Sequence, residues 1–250
     1  YRFYLNETLL NSYYSVYGTP YVNSNMRLGS DGISAYFDGE INEVLILGRA
    51  ISDDELNNEF ESNSNLIAHY KFNAGSGDIL YDHSGNGNHG TINGATWSYE
   101  HDFTDGNNLI SLPGSPENDD SQYLGSTMES PVFILGQGQG LFNTDDGWSG
   151  NLTTMNALNG YWVNVGIAQD WSYLLNGEAV DAESNPYNLT DGNNLVSYLG
   201  KDGCPTIDAL GDGHYNFILG QGQGLFNTAD GWSGNLTTLY RGNGYWLNTN

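Results

Sequence analysis

The sequence predicts a mainly β protein, and three observations carry that expectation. Glycine accounts for 34 of 250 residues, and Asn, Ser and Thr are abundant while Lys is nearly absent, a composition of short strands and tight turns. The apolar fraction is only 38%, but 18 Tyr, 9 Phe and 6 Trp supply enough buriable area for a packed core. Third, the chain repeats itself, so several small β modules are expected and not one large one.

Residues 133–154 read FILGQGQGLFNTDDGWSGNLTT and residues 217–238 read FILGQGQGLFNTADGWSGNLTT, differing only at Asp145 and Ala229. Upstream, FTDGNNLISLPG at 103–114 answers LTDGNNLVSYLG at 189–200, and downstream GYWVN at 160–164 answers GYWLN at 244–248. Two tandem β-rich (α+β) repeat modules follow, at 101–184 and 185–250.

The charge is the next constraint. Six Lys+Arg against 30 Asp+Glu give a net charge of −24. Nucleic acid and anionic membrane surfaces are excluded as partners, because both are held by clustered Lys and Arg. No window approaches the run of about 18 apolar residues that a spanning helix requires, so membrane insertion is not expected. Tyr1 is followed by no charged-then-apolar leader, and the chain reads as starting within a longer protein. Cys204 is the single cysteine, which rules out an intrachain disulfide framework and a cysteine-based zinc site.

Taken in order, Tyr1 to Asn6 reads as a strand, Met26 to Gly29 as another, and Phe37 to Leu47 as a long strand kinked at Asp38-Gly39. Ser52 with Glu55 three residues on forms a capping box that opens a short helix to about Phe60. Asn63 to Asn65 reads as a hinge and Leu66 to Phe72 as a strand. Within the repeats, Asp105-Gly106, Asp146-Gly147, Asp191-Gly192 and Asp230-Gly231 mark turns. Thr206 to Leu210 and Leu236 to Leu239 are each expected to form one helical turn. Trp171 to Leu175, ahead of Asn176-Gly177, reads as a strand that closes the first module.

The residues before 101 carry a family resemblance. The run YFDGEINEV at 36–44 with GRAISDDEL at 48–56 resembles the closing strand and short helix of laminin G-like, concanavalin A-type jelly rolls. LIAHYKFN at 66–73, DHSGNGNHGT at 82–91 and GATW at 94–97 resemble the opening strands of the same fold. The resemblance implies a partial jelly-roll sandwich over residues 1–98, with its closing half (1–60) ahead of its opening strands (66–98). Either the jelly roll is circularly permuted, or two successive jelly rolls are each incomplete. About eight strands make a complete jelly roll and roughly six are legible here, which leaves an edge for upstream chain or a neighbouring subunit to cover. The tandem modules resemble repeats of secreted bacterial proteins and phage structural proteins, which implies an extracellular or virion-surface setting.

Calcium is the first candidate ligand. Asp82, Asn86 and Asn88 lie on a Gly-rich turn where carboxylate, amide and backbone oxygens can converge on a hard cation. The resemblance adds Asn42 or Glu43 of the closing strand to that set. The alternative is a loop in which Asp82 bonds backbone amides and no metal.

Carbohydrate is the second candidate, because sugar rings stack on aromatic faces while Asn and Asp bond their hydroxyls. Trp97, Trp148 and Trp232 are the expected glycan contacts; Tyr161, Trp162, Tyr245 and Trp246 read more readily as module cores.

Catalysis is not expected. Concanavalin A-type glycoside hydrolases place two carboxylates on one sheet face. Here Glu40 and Glu43 are odd-spaced, so a regular strand would point them to opposite faces, and Asn42 stands where such enzymes carry Asp. Gly-Gln-Gly-Gln-Gly, at 136–140 and 220–224, lacks the Lys and helix of a phosphate loop and reads as a tight turn.

The expected function is that of a non-catalytic extracellular adhesion protein whose jelly roll holds calcium and binds carbohydrate. The rival expectation is a structural subunit of an extracellular fibre, sheath or virion appendage that assembles into homo-oligomers or filaments by strand exchange.

Overall fold

The computed structural model describes residues 2–5, 8–12, 26–30, 32–49 and 65–249. Strands predominate, and the described residues include only two short helices. The chain divides into two compact units, one of Tyr1–Ala74 with Asp78–Ile92 and one of Gly75–Gly77 with Asn93–Asn250.

The first unit is built from antiparallel pairs. Strand β1 (Arg2–Leu5) pairs with β2 (Thr8–Ser12), β3 (Val44–Leu47) with β4 (Leu66–Tyr70), and β5 (Ile79–Leu80) with β6 (Gly90–Thr91). Alternation along β4 turns Ala68 and Tyr70 inward, where they meet Leu80 and the flanking Leu28, Val44, Ile46 and Ile92.

The long strand expected from Phe37 begins only at Val44. Tyr36 and Phe37 are 78% and 59% exposed, so no apolar layer holds that stretch extended. Met26 to Gly29 forms no strand; only a single bridge joins Ser30 to Tyr36. Strand β4 stops at Tyr70, and Phe72 turns the chain with a left-handed φ of 47°. The capping box at Ser52 and Glu55, its helix, and the first two hinge residues lie outside the described residues; Asn65 adopts φ 63°.

In the second unit the duplication becomes two five-stranded antiparallel sheets of the same order. Copy 1 contains β8 (Gly106–Ser111), β9 (Pro131–Gly136), β10 (Gln139–Thr144), β11 (Gly147–Gly150) and β12 (Gly160–Val165), in the order β11-β10-β9-β12-β8. Between β12 and copy 2 runs β13 (Gln169–Leu174), which pairs with β7 (Ser98–Phe103) and buries Trp171 against Phe103 at 5.6 Å between ring centroids. Copy 2 contains β14 (Gly192–Val196), β16 (Tyr215–Gly220), β17 (Gln223–Thr228), β18 (Gly231–Gly234) and β20 (Tyr245–Thr249), in the matching order β18-β17-β16-β20-β14.

Period-2 alternation explains the cores. Tyr161, Val163 and Val165 on β12 point inward with Ile134, Leu141 and Leu152, while Trp162 and Asn164 face the other way. Ile218, Leu225, Leu236, Tyr245 and Leu247 repeat the arrangement in copy 2. The Tyr161 and Tyr245 rings are 1% and 3% exposed, which makes them core residues. The position that differs between the duplicated blocks, Asp145 against Ala229, lies in an exposed hairpin loop where either side chain is accommodated.

Two local expectations change. Leu236 to Leu239 is not a helical turn: Thr238–Leu239 forms β19 and pairs with β15 (Cys204–Pro205), because Leu236 and Leu239 are drawn into the copy 2 core. Helix α1 (Ser121–Ser126) was not anticipated. Its start is set by Asp120, whose carboxylate accepts the Tyr123 N–H at 2.8 Å. Helix α2 (Thr206–Leu210) forms where one turn was expected.

The copies are laced together reciprocally. The Gln221 side-chain amide accepts the Leu109 N–H at 2.7 Å and donates to Asn107 O at 2.9 Å. Its counterpart Gln137 accepts the Leu195 N–H and donates to Asn193 O, both at 2.8 Å. Each glutamine thus occupies the open edge of the other copy's last strand, satisfying groups that would otherwise be unpaired.

Beside these bonds, single bridges join Ile110 to Asn243 and Asn159 to Val196. Glycine is required at the crossing: a Cβ on Gly244 would lie 2.5 Å from Ile110 O, and one on Gly160 2.9 Å from Val196 O. Gly244→Ala is therefore expected to destabilise the second unit by about 1–3 kcal/mol, and Gln137→Ala or Gln221→Ala by about 1 kcal/mol each, measured by urea unfolding. The fluorescence of Trp171 and Trp246 should report a single shared transition, since the two copies close each other's edges.

Candidate functional site

The lacing leaves two clefts, related by the repeat. Cleft 1, of about 440 Å³, lies where Gln221, Gln223, Asn243 and Tyr245 of copy 2 face Thr104 and Asn108 of copy 1. Cleft 2, of about 300 Å³, lies where Gln137, Gln139, Asn159 and Tyr161 of copy 1 face Thr190 and Asn194 of copy 2. Every one of these positions in one cleft has its sequence counterpart in the other.

Local hydrogen bonding shapes each wall. Asn108 Oδ1 accepts the Thr104 N–H at 2.9 Å while its Nδ2 donates to Thr104 O and Gly106 O, closing the Thr-Asp-Gly-Asn-Asn turn. Asn194 repeats these bonds on Thr190 and Gly192. Opposite, the glycine-rich run folds as a two-residue hairpin turn, with Gly138 at φ 71° and Gly222 at φ 70°. That turn places the first glutamine across the junction and exposes the second.

The walls differ on one side. Cleft 1 is also lined by Glu100, His101, Asp102 and the 47%-exposed Tyr240. In the repeat these four align with Pro186, Tyr187, Asn188 and Asn156, and only Asn188 lines cleft 2. Burial holds the His101 imidazole below its ordinary value against the opposing pull of Asp102. Glu100 and Asp102 on β7, together with Asp170 opposite Asp102 on β13, bring carboxylate oxygens within 4.8 Å of one another on an exposed face.

The expected calcium residues lie in the first unit. Asp82 is 8% exposed, and its Oδ1 accepts the N–H groups of His69 and Ser84 while Oδ2 accepts Ser84 Oγ and the Asn88 N–H. The amide nitrogens of Asn86 and Asn88 donate to the Ile67 carbonyl. Glu43 Oε1 lies 2.7 Å from His69 Nε2, and Asn42 is exposed. This is the geometry of a carboxylate-centred loop: the Asp82 lone pairs are directed at protons, and a cation there would have to displace them. The donor set therefore fits calcium poorly at Asp82 itself.

The expected glycan tryptophans are separated. Trp97 is buried with its Nε1 donating to Gly77 O at 2.9 Å. Trp148 is half-buried over Gly125 of α1, where an added Cβ would lie 2.6 Å from the ring, and Trp232 packs on the copy 2 core. None of the three lines either cleft.

The cleft residues that sequence reasoning overlooked are Gln137, Gln139 and their repeats. The signal was present in the identical Gly-Gln-Gly-Gln-Gly runs at 136–140 and 220–224, which put a long amide side chain where Asn or Asp is the preferred turn residue. No protein-family profile matches the chain, and no curated protein or solved structure matches it significantly.

Burial pushes the Asp82 carboxyl up, but the four hydrogen bonds outweigh it and hold the group well below its ordinary 3.8. A depressed carboxyl contributes stability that is full above the unfolded-state value and is lost as the pH falls through the folded one. The first unit is therefore expected to be insensitive to pH from neutrality to about 4 and to lose stability below it. Asp82→Asn should remove that acid dependence, as read by thermal unfolding across the range.

Proposed function

We propose that the chain is part of a non-catalytic extracellular surface protein that binds carbohydrate, and that the paired clefts of the second unit are its sugar sites. The single observation that carries this reading is the recurrence of the same amide and hydroxyl groups around two open cavities. Side-chain amides both donate and accept, as sugar hydroxyls do. The sugar contacts then move from Trp97, Trp148 and Trp232 to Gln139, Asn159, Gln223 and Asn243.

Within the same proposal, the first unit is a portion of a concanavalin A-type jelly roll. The antiparallel pairing of β3 with β4 supports it, because it joins the closing-type segment to the opening-type segment. The non-catalytic reading is supported by Glu43, which is engaged by His69. Calcium stays in the proposal as a ligand of amide oxygens near Asn86 and Asn88, and secreted or virion-surface localisation follows from the resemblance. No helix among the described residues is long and apolar enough to cross a membrane.

Neutral oligosaccharides titrated into the protein should shift amide resonances of Gln139 and Gln223. Gln139→Ala with Gln223→Ala is expected to weaken binding about tenfold, the loss of roughly one good hydrogen bond per site. Unchanged affinity in this variant, with loss in Trp148→Ala and Trp232→Ala instead, would move the sites to the β11 and β18 turns.

A second reading, assembly into a fibre or sheath, is favoured by one observation. The outward sheet faces carry Phe133, Leu135, Phe142 and Trp162, repeated as Phe217, Leu219, Phe226 and Trp246, with Phe142 and Phe226 48% and 46% exposed. Light scattering with calcium and then with a chelator separates the readings. A concentration-independent monomer in both conditions removes assembly, and a large particle that dissolves on chelation makes it primary.

A further inference from the structure

The two clefts are not equivalent in charge, and this inference rests on the reading of them as sugar sites. We propose that cleft 1 selects saccharides carrying a protonated amine, as in glucosamine polymers, while cleft 2 takes neutral sugar units. Cleft 1 has two carboxylates on its wall, Glu100 and Asp102, with Asp170 beside them, and the described residues lining it include no Lys or Arg. It also presents the exposed ring of Tyr240, the other group that attracts a cation in a partly desolvated site. Cleft 2 lacks all of these, with Asn188 in place of Asp102 and Pro186 in place of Glu100.

The difference is local and does not follow from the overall acidity. At a net charge of −24 any cation is drawn toward the protein, but over distances beyond about 10 Å at ordinary ionic strength that attraction is screened. A carboxylate pair on the cavity wall acts inside that distance. Both clefts share two glutamines, two asparagines and a threonine at repeat-related positions, so cleft 2 serves as an internal control for the charge.

The test compares an oligomer of glucosamine with its N-acetylated counterpart, at about pH 6 and with a chelator present, by calorimetry and by resonance shifts assigned to each cleft. The glucosamine oligomer is expected to bind cleft 1 about three- to tenfold more tightly than the acetylated one, the range two partly exposed charge pairs supply. Cleft 2 should show no such preference. Glu100→Gln with Asp102→Asn should abolish the preference, and Tyr240→Leu should reduce it.

Equal affinity for both oligomers at cleft 1 overturns the inference and leaves the sugar-site reading standing. A preference that survives Glu100→Gln/Asp102→Asn overturns it as well, because the attraction is then a property of the whole surface. Binding that requires added calcium and persists after acetylation assigns the carboxylates to a metal and also overturns it. No binding of either oligomer at either cleft overturns both readings.

Discussion

The second unit depends on a reciprocal exchange of side-chain amides across open sheet edges. A five-stranded sheet ends in two strands whose N–H and C=O groups lack partners on one side, and such an edge is both costly to bury and prone to wrong pairing. In each copy the last strand, β8 or β14, meets a glutamine from the hairpin turn of the other copy, and the amide stands in for a strand backbone. Because the same residue supplies the cap in both directions, one short motif closes two edges. The glycines before Tyr161 and Tyr245 let the backbones approach closely enough for this, and the clefts are the space left beside that contact.

The clefts are thus a consequence of how the copies pack. Neither copy alone contains one, since each cavity takes its hairpin wall from one copy and its Thr-Asp-Gly-Asn-Asn wall from the other. Duplication followed by divergence at the edges can then change one site and leave its partner as it was. The alignment shows that pattern: the walls shared by both clefts are identical in sequence, and the differences concentrate at Tyr99 to Asp102 and Tyr240. Those residues come from β7 and from the segment before β20, where no repeat-to-repeat pairing constrains the side chain.

Stabilising polar interactions are placed with similar economy in the first unit. Asp82 gathers four donors from three residues and so fixes the geometry of residues 82–89. The resulting loop is rigid because each carboxylate oxygen has two partners, and charge-assisted bonds of this kind are stronger than neutral ones. Arg241 does comparable work in the second unit. Its guanidinium donates to Pro113 O and Val180 O, tying copy 2 to the chain just after β8 of copy 1 and to the connecting segment.

Much of this architecture was legible from residue order alone. Glycine, Asn-Gly-type turns and alternating aromatics specify strand-turn-strand structure because strand periodicity and positive-φ turns are local properties. The duplicated blocks likewise foretold two copies of one sheet, and Trp171 to Leu175 foretold the strand that pairs with β7. Tertiary structure decided the rest. Whether Phe37 joins a strand depends on an apolar partner that its own sequence does not name. Whether Leu236 to Leu239 coils into a helix or extends into β19 depends on the core that its leucines enter. The role of Gln137 and Gln221 was hidden for the same reason: a polar side chain at an exposed turn acquires its function from the strand edge it reaches, and that edge lies 58 residues away for Gln137 and 112 for Gln221.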